Sequence, residues 1–175
     1  LNAVRTARQC KDTYETNALI AEIQATAGNA SSHADEIIRE LTELEEARKK
    51  KGNSLTSNEC LWMARAYVNK GDKSNACYYY FLAAEPFYAA KDYVRADAIY
   101  TENSEKTNMY SSQIKDSAFK CAFCRGEKKD ITRGDHQYCI SWYDAAINSK
   151  QQIAYAYGNR SFHQRMLGDS FEAVE

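Results

Sequence analysis

Apolar residues recur along most of this chain at spacings of three and four, the repeat of one face of an α-helix. In residues 2–27 that face carries Ala3, Ala7, Cys10, Tyr14, Leu19, Ile20 and Ile23, and Gly28-Asn29 stops it. A second helix follows, with Ile37, Ile38, Leu41, Leu44 and Ala47 on one side. Ser32 with Asp35 three residues on is a capping-box-like start, in which a hydroxyl and a carboxylate satisfy N–H groups that the first turn leaves unpaired. Glu45→Lys49 and Glu46→Lys50 are favourable i,i+4 pairs. Lys49, Lys50 and Lys51 suit the negative end of the helix dipole, ahead of Gly52 as the residue that ends the helix. Residues 1–52 are therefore expected to form an antiparallel helical pair or a short coiled-coil arm, whose basic end is a solvated helix terminus.

Gly52-Asn53-Ser54 reads as a linker. Thr56-x-x-Glu59 is a second capping box, with Leu55 and Cys60 spaced for a hydrophobic staple across it. From there a second domain, residues 56–175, is expected to differ in character. Gly-Asp pairs stand at 71–72, 134–135 and 168–169. Five residues after each glycine come Ala76, Cys139 and Ala173; nine after the first two come Tyr80 and Tyr143; twelve after, Ala83 and Ala146. Seven before the first and third come Ala64 and Ser161. The reading is that each Gly-Asp turns the chain between two antiparallel helices, that the small residues let those helices approach, and that the tyrosine fills the space against the next unit. A lone hairpin cannot bury its face, so such units must stack.

The stretches CLWMARAYVNKGDKSNACYYYFLAAEP (60–86), RGDHQYCISWYDAAI (133–147) and AYAYGNRSFHQRMLGDSFEAV (154–174) resemble the tetratricopeptide repeat family, over roughly two thirds of the chain. The resemblance implies an all-α fold of antiparallel hairpins stacked as a right-handed solenoid, with the helical pair at its N-terminus. It also implies a scaffold that binds a protein or peptide segment in its concave groove, within a larger complex. First helices lining that groove fall at roughly 57–70, 110–126 and 152–167 in this register. Two irregularities stand out. No Gly-Asp falls at the expected spacing in 87–116, so the helix from Lys73 is expected to run to about Ala90, with Pro86 kinking or interrupting it, and to serve two neighbours, KDYVRADAIY (91–100) being one of them. The helix before Gly134 fits only if 126–133 holds a loop-like insertion.

Composition agrees with helices. The chain has one proline and seven glycines, fewer turn residues than a strand-rich fold needs, and thirteen tyrosines, which pack tightly and keep a polar tip. Net charge is −1, with no basic excess for nucleic acid or an anionic membrane. No apolar run approaches a bilayer span and the N-terminus lacks the apolar stretch of a signal peptide, which predicts a cytoplasmic protein. The start at Leu1 and the end inside a helical pattern suggest a piece of a longer protein.

Four groups of residues carry candidate chemistry. Within the family, some co-chaperones hold a partner's C-terminal carboxylate with Lys and Asn in one first helix and Asn in the next. Asn159 in YGNRS matches the second-helix Asn, and Lys120 matches the Lys once the insertion is allowed. Cys124 stands where the first Asn belongs, and a third clamp helix would lie beyond Glu175. The competing reading makes Asn159-Arg160 an inter-helix tie and leaves Lys120 solvated. Trp62, Tyr67 and Tyr157 are the candidate aromatic anchors of the groove, with Lys120, Asn159 and Arg160 for specificity. In CYYYF (77–81) the three tyrosines point to different sides, and core packing is the simpler use for them.

Cys121-x2-Cys124-x11-His136-x2-Cys139 has a pattern with which three thiolates and an imidazole hold zinc. Against it, Cys139 sits at the small buried position after Gly134, and the adopted reading is six reduced thiols used as small hydrophobes and no metal or cofactor. His33, His136 and His163 lie among polar neighbours, with no Ser/His/Asp or Cys/His set and no phosphate loop, so no enzymatic activity is expected. Two further roles remain: accessory domain of an enzyme or co-chaperone, and self-association through residues 1–52.

Overall fold

The computed structural model describes residues 30–168. The expected helix at 2–27, Cys10 and the segment Asp169–Glu175 with Ala173 lie outside the described residues. Those described form seven α-helices and no strand: α1 Ala30–Lys49, α2 Ser57–Asn69, α3 Lys73–Ala89, α4 Tyr93–Lys106, α5 Ser117–Gly126, α6 Arg133–Asn148 and α7 Ile153–Leu167. Each helix packs on the next along the chain, and α3 also touches α5. The fold is thus all-α and built from neighbours, as the periodicity predicts.

Helix ends explain much of this order. Thr56 caps α2 and makes the full box with Glu59, as its spacing predicts. Gly71 turns out of α2 with φ +77°, and Asp72 then accepts the Asn75 N–H at 3.1 Å to open α3. The same device recurs between α3 and α4 without a glycine. Lys91 takes φ 60°, and Asp92 accepts the Arg95 N–H at 3.2 Å. Four backbone hydrogen bonds recur in both turns, Asp72 N–H to Tyr67 C=O matching Asp92 N–H to Phe87 C=O among them, and Lys73 N–H to Gly71 C=O belongs to the first alone. Between α6 and α7, Lys150 at φ 57° and the bonds from Ser149, Lys150 and Gln151 repeat the exit from the preceding helix, but Gln152 gives α7 no side-chain cap.

Measured from Lys91, the small-residue rule holds. Ala84 seven before, Ala96 five after and Tyr100 nine after are fully buried, like Ala64, Ala76 and Tyr80 around Gly71. The missing turn in 87–116 is therefore Lys91-Asp92, and α3 is a single helix through Pro86 with α2 on one side and α4 on the other.

Three expectations need correction. Gly134-Asp135 is not a turn. Both residues lie in the first turn of α6, where Thr132 is the cap and Asp135 the box partner. The buried positions read from Gly134 (Cys139, Tyr143, Ala146) are right, but α6 begins about one turn earlier relative to them than α3 does. The loop expected at 126–133 is present as residues 127–132 between α5 and α6, longer than the turns at 70–72 and 90–92. Residues 110–116 are loop rather than helix, with Asp116 at φ 56° just ahead of α5. Ser32 lies inside α1, which already runs at Ala30.

One core unites the helices. Leu41 of α1 joins Met63, Cys77, Tyr80, Phe81, Tyr100, Cys121 and Tyr143 in it, so α1 packs against the same core. The tyrosine run is core, as expected: the Tyr79 hydroxyl donates to Glu45 on α1 at 3.0 Å and the Tyr80 hydroxyl to Glu102 on α4 at 2.9 Å. Tyr100 alone of the buried tyrosines leaves its hydroxyl without a partner among the described residues. Replacing it with Phe removes that uncompensated group and keeps the ring. Tyr100→Phe is expected to raise unfolding stability by about 1 kcal/mol in a denaturant titration.

Candidate functional site

Helix α7 is apolar on more than one side, and the described residues cover only one of them. Inward, Ala156, His163 and Gln164 are buried. Asn159 donates to the Tyr143 hydroxyl at 3.1 Å, and Arg160 pairs with Asp144 at 2.9 Å with its guanidinium over the Tyr157 ring. Outward, Ile153, Tyr155, Tyr157, Phe162 and Met166 are exposed, Tyr155 by 69% and Met166 by 57%. The other large exposed hydrophobics among the described residues are Val94, Met109 and Tyr110. A helix that is apolar on two faces is normally an inner one, and concentrated exposed apolar surface marks an interaction site.

The start of α7 is placed by its neighbours. Asp116 makes no side-chain cap for α5. Gln151, from the turn before α7, reaches across instead, and its side-chain oxygen accepts the Ala118 N–H at 2.8 Å and the Phe119 N–H at 3.3 Å. Gln152 adds a bond to Asp116 at 2.7 Å. One turn thus leads into α7 and closes the open end of α5 at the same time.

Of the six predicted groove residues, the structure brings Tyr157, Asn159 and Arg160 together on α7. Lys120 is elsewhere. It lies between α5 and α3, largely buried, with its ammonium 2.6 Å from Glu85 and over the Tyr88 ring at 5.2 Å. It is therefore paired rather than solvated. Trp62 and Tyr67 are half-buried on α2; Trp62 packs against the core, and Tyr67 stacks on Tyr79 at 5.7 Å between centroids.

The proposed zinc ligands do not converge. Among the described residues no group of three or more His, Cys, Asp or Glu side chains is placed to hold a metal ion. Cys60, Cys77, Cys121, Cys124 and Cys139 are free and buried. Burial pushes their thiols up, Cys77 to about 11 and Cys60 and Cys139 to about 12, which keeps them protonated and unreactive. Cys139 donates to the Ala122 carbonyl of α5 across the helix seam. His136 is turned to α7, its Nδ1 2.7 Å from Nδ1 of His163. The two are therefore not scattered among polar neighbours but buried together, at 5% and 3% exposure. Sequence reasoning overlooked this contact because the partners lie on successive helices. The signal available was the covered side of α7, with Ala156, Asn159, Arg160 and His163 at spacings of three and four.

A second overlooked group lies between α4, α5 and α6. Arg125 gives its Nε to both oxygens of Asp97 at 2.8 and 2.9 Å, one terminal nitrogen to Asp135 at 2.9 Å and the other to the Thr101 hydroxyl. Its planar head lies 4.2 Å from the Tyr138 ring centroid. Burial raises the Asp97 carboxyl, and Arg125 only partly offsets it. Burial opposes ionisation of Asp135 too, but the N–H and hydroxyl of Thr132 with Arg125 and Lys128 win and hold that carboxyl far below its usual range. Every donor arm of this arginine is used within the fold, so the group ties three helices rather than offering a site.

No family model, curated protein or solved structure matches this chain. Among the described residues no helix is long and apolar enough to cross a membrane.

Proposed function

We propose that the chain is a protein-binding module, a tetratricopeptide-like right-handed solenoid of helical hairpins that engages a partner segment through α7, as part of a larger protein complex. The observation that carries this reading is the outer face of α7, where Tyr155, Phe162 and Met166 stand exposed at spacings that align them on one side. The solenoid reading is supported by packing that follows chain order, by three helix exits closed by the same hydrogen bonds, and by the small residues at seven before and five after the turns at Gly71 and Lys91. Aromatic and methionine side chains on a rigid helix are the usual anchors of such contacts. Arg165, also exposed on α7, adds a cation at the rim.

A carboxylate clamp drawing on Lys120 and Asn159 asks more of the fold. Lys120 would have to leave Glu85 and Tyr88, and Asn159 would have to leave Tyr143. The accessory domain of a larger enzyme or co-chaperone would use the same α7 face.

The test replaces Tyr155, Phe162 and Met166 together with alanine. Capture from the native source is expected to lose the proteins held by the unaltered chain, with affinity for any purified partner at least roughly tenfold weaker. Thermal stability should barely change, because exposed positions contribute little to it. Retention of the same proteins by the triple variant would overturn the assignment.

A further inference from the structure

We propose that the His136–His163 pair makes the α6–α7 seam sensitive to protons, so that acidification loosens α7 from the rest of the chain. The geometry is restrictive. The two Nδ1 atoms are 2.7 Å apart, so one must carry a hydrogen and the other must offer a lone pair. Two protonated rings cannot share this contact, since both Nδ1 atoms would then be donors facing each other with two positive charges. Nor can the rings draw back easily. Tyr143 stacks on His163 at 5.9 Å and Phe162 lies edge-on to it at 5.2 Å. Behind it is Gly126, where a Cβ would come within 3.2 Å of His163 Nε2.

Among the described residues no carboxylate is hydrogen-bonded to either ring, whose polar contact is with each other. Besides the pair, the ionisable groups are Arg133, Asp135, Tyr138, Cys139, Tyr143 and Asp144 on α6, Tyr155, Tyr157, Arg160 and Arg165 on α7, and Cys124, Arg125, Glu127 and Lys128 at the end of α5 and just beyond. Asp135 is held by Thr132, Arg125 and Lys128. Asp144 is paired with Arg160. The Cys139 thiol points to Ala122, the Tyr143 hydroxyl accepts from Asn159, Cys124 is buried and Glu127 is exposed to solvent. Burial, with His136 alongside, accordingly pushes His163 down to about 4 from its ordinary 6.5. A group depressed in the closed seam takes up its proton when the seam opens. The closed form is then fully favoured above pH 6.5 and loses ground as pH falls from 6.5 towards 4.

This inference concerns the chain alone and does not rest on the binding role of the outer face. Native-state hydrogen exchange, corrected for intrinsic rates, tests it on the unbound protein. From pH 7.5 to 5 the opening of α7 should grow by roughly 30-fold, the ratio that a shift between 6.5 and 4 gives, while α3 amides change far less. In His163→Gln, which cannot titrate, that dependence should vanish. Equal change in α7 and α3, or an unaltered dependence in the variant, overturns the proposal. Should the variant fold poorly, an imidazole NMR titration of the unaltered chain decides: His163 must stay neutral well below pH 6, and titration near 6.5 overturns it.

Discussion

Replacing Arg125 with alanine is expected to destabilise the protein by about 3–5 kcal/mol, the usual cost of stranding buried charge. The side chains of Arg125, Asp97 and Asp135 are 13%, 11% and 7% exposed, so none of the three can turn to bulk water. Without the guanidinium, Asp97 keeps no cation among its hydrogen-bond partners, and Asp135 keeps Lys128 and the Thr132 cap. Tyr138 loses the cation over its ring, and Thr101 loses a donor. Urea unfolding of the variant measures the effect. Arg125→Lys should recover only part of it, because an ammonium cannot reach along three directions at once. A loss below about 1 kcal/mol would mean that the network is solvated in solution and worth no more than a surface pair.

Arg48→Ala is expected to be the next most damaging change, at about 3 kcal/mol. Glu59 is fully buried at the start of α2, and Arg48 from the end of α1 grips both of its carboxylate oxygens. Thr56 supplies the remaining donors through its N–H at 2.7 Å and its hydroxyl at 2.8 Å. The capping box alone is worth about 1 kcal/mol, and an exposed glutamate would serve it equally well. Burying the carboxylate makes sense only with the guanidinium in place. The double variant Arg48→Met with Glu59→Gln should therefore be more stable than Arg48→Ala, because it removes the stranded charge; the difference in urea midpoints reads this directly. If the double variant were the less stable, the pair would not be a buried charge tie.

The opposite fates of two Thr-x-x-acid boxes show what a sequence conveys. Thr56-x-x-Glu59 was legible because every interaction that defines it lies within four residues. Thr132-x-x-Asp135 has the same form, but the Gly-Asp inside it reads as a turn, because glycine usually marks one. Lys91 is the reverse case: it occupies a left-handed position that glycine favours, so nothing in its type announces the turn. The small residues and tyrosine around Lys91 did carry the information, but only when counted from the right residue. Core positions were easier to read, since Ala64, Ala76, Tyr80, Cys139, Tyr143 and Ala146 lie where helical period and size place them.

The site divides in the same way. Helical period identified α7 as a helix and Asn159 and Arg160 as a pair on its face. The inter-helix tie read for them is formed, to Tyr143 and Asp144 of α6, but the period could not say that Lys120 is already paired with Glu85, or that His136 meets His163 rather than the thiols. What the sequence determined by itself was local: helix period, caps, and the small and aromatic residues that let neighbouring helices approach. These depend on backbone geometry within a few residues. The tertiary structure decided which charges are buried together, which histidines meet and which face of α7 stands exposed among the described residues. Those outcomes depend on how side chains from different helices divide the space between them, which no spacing along the chain records.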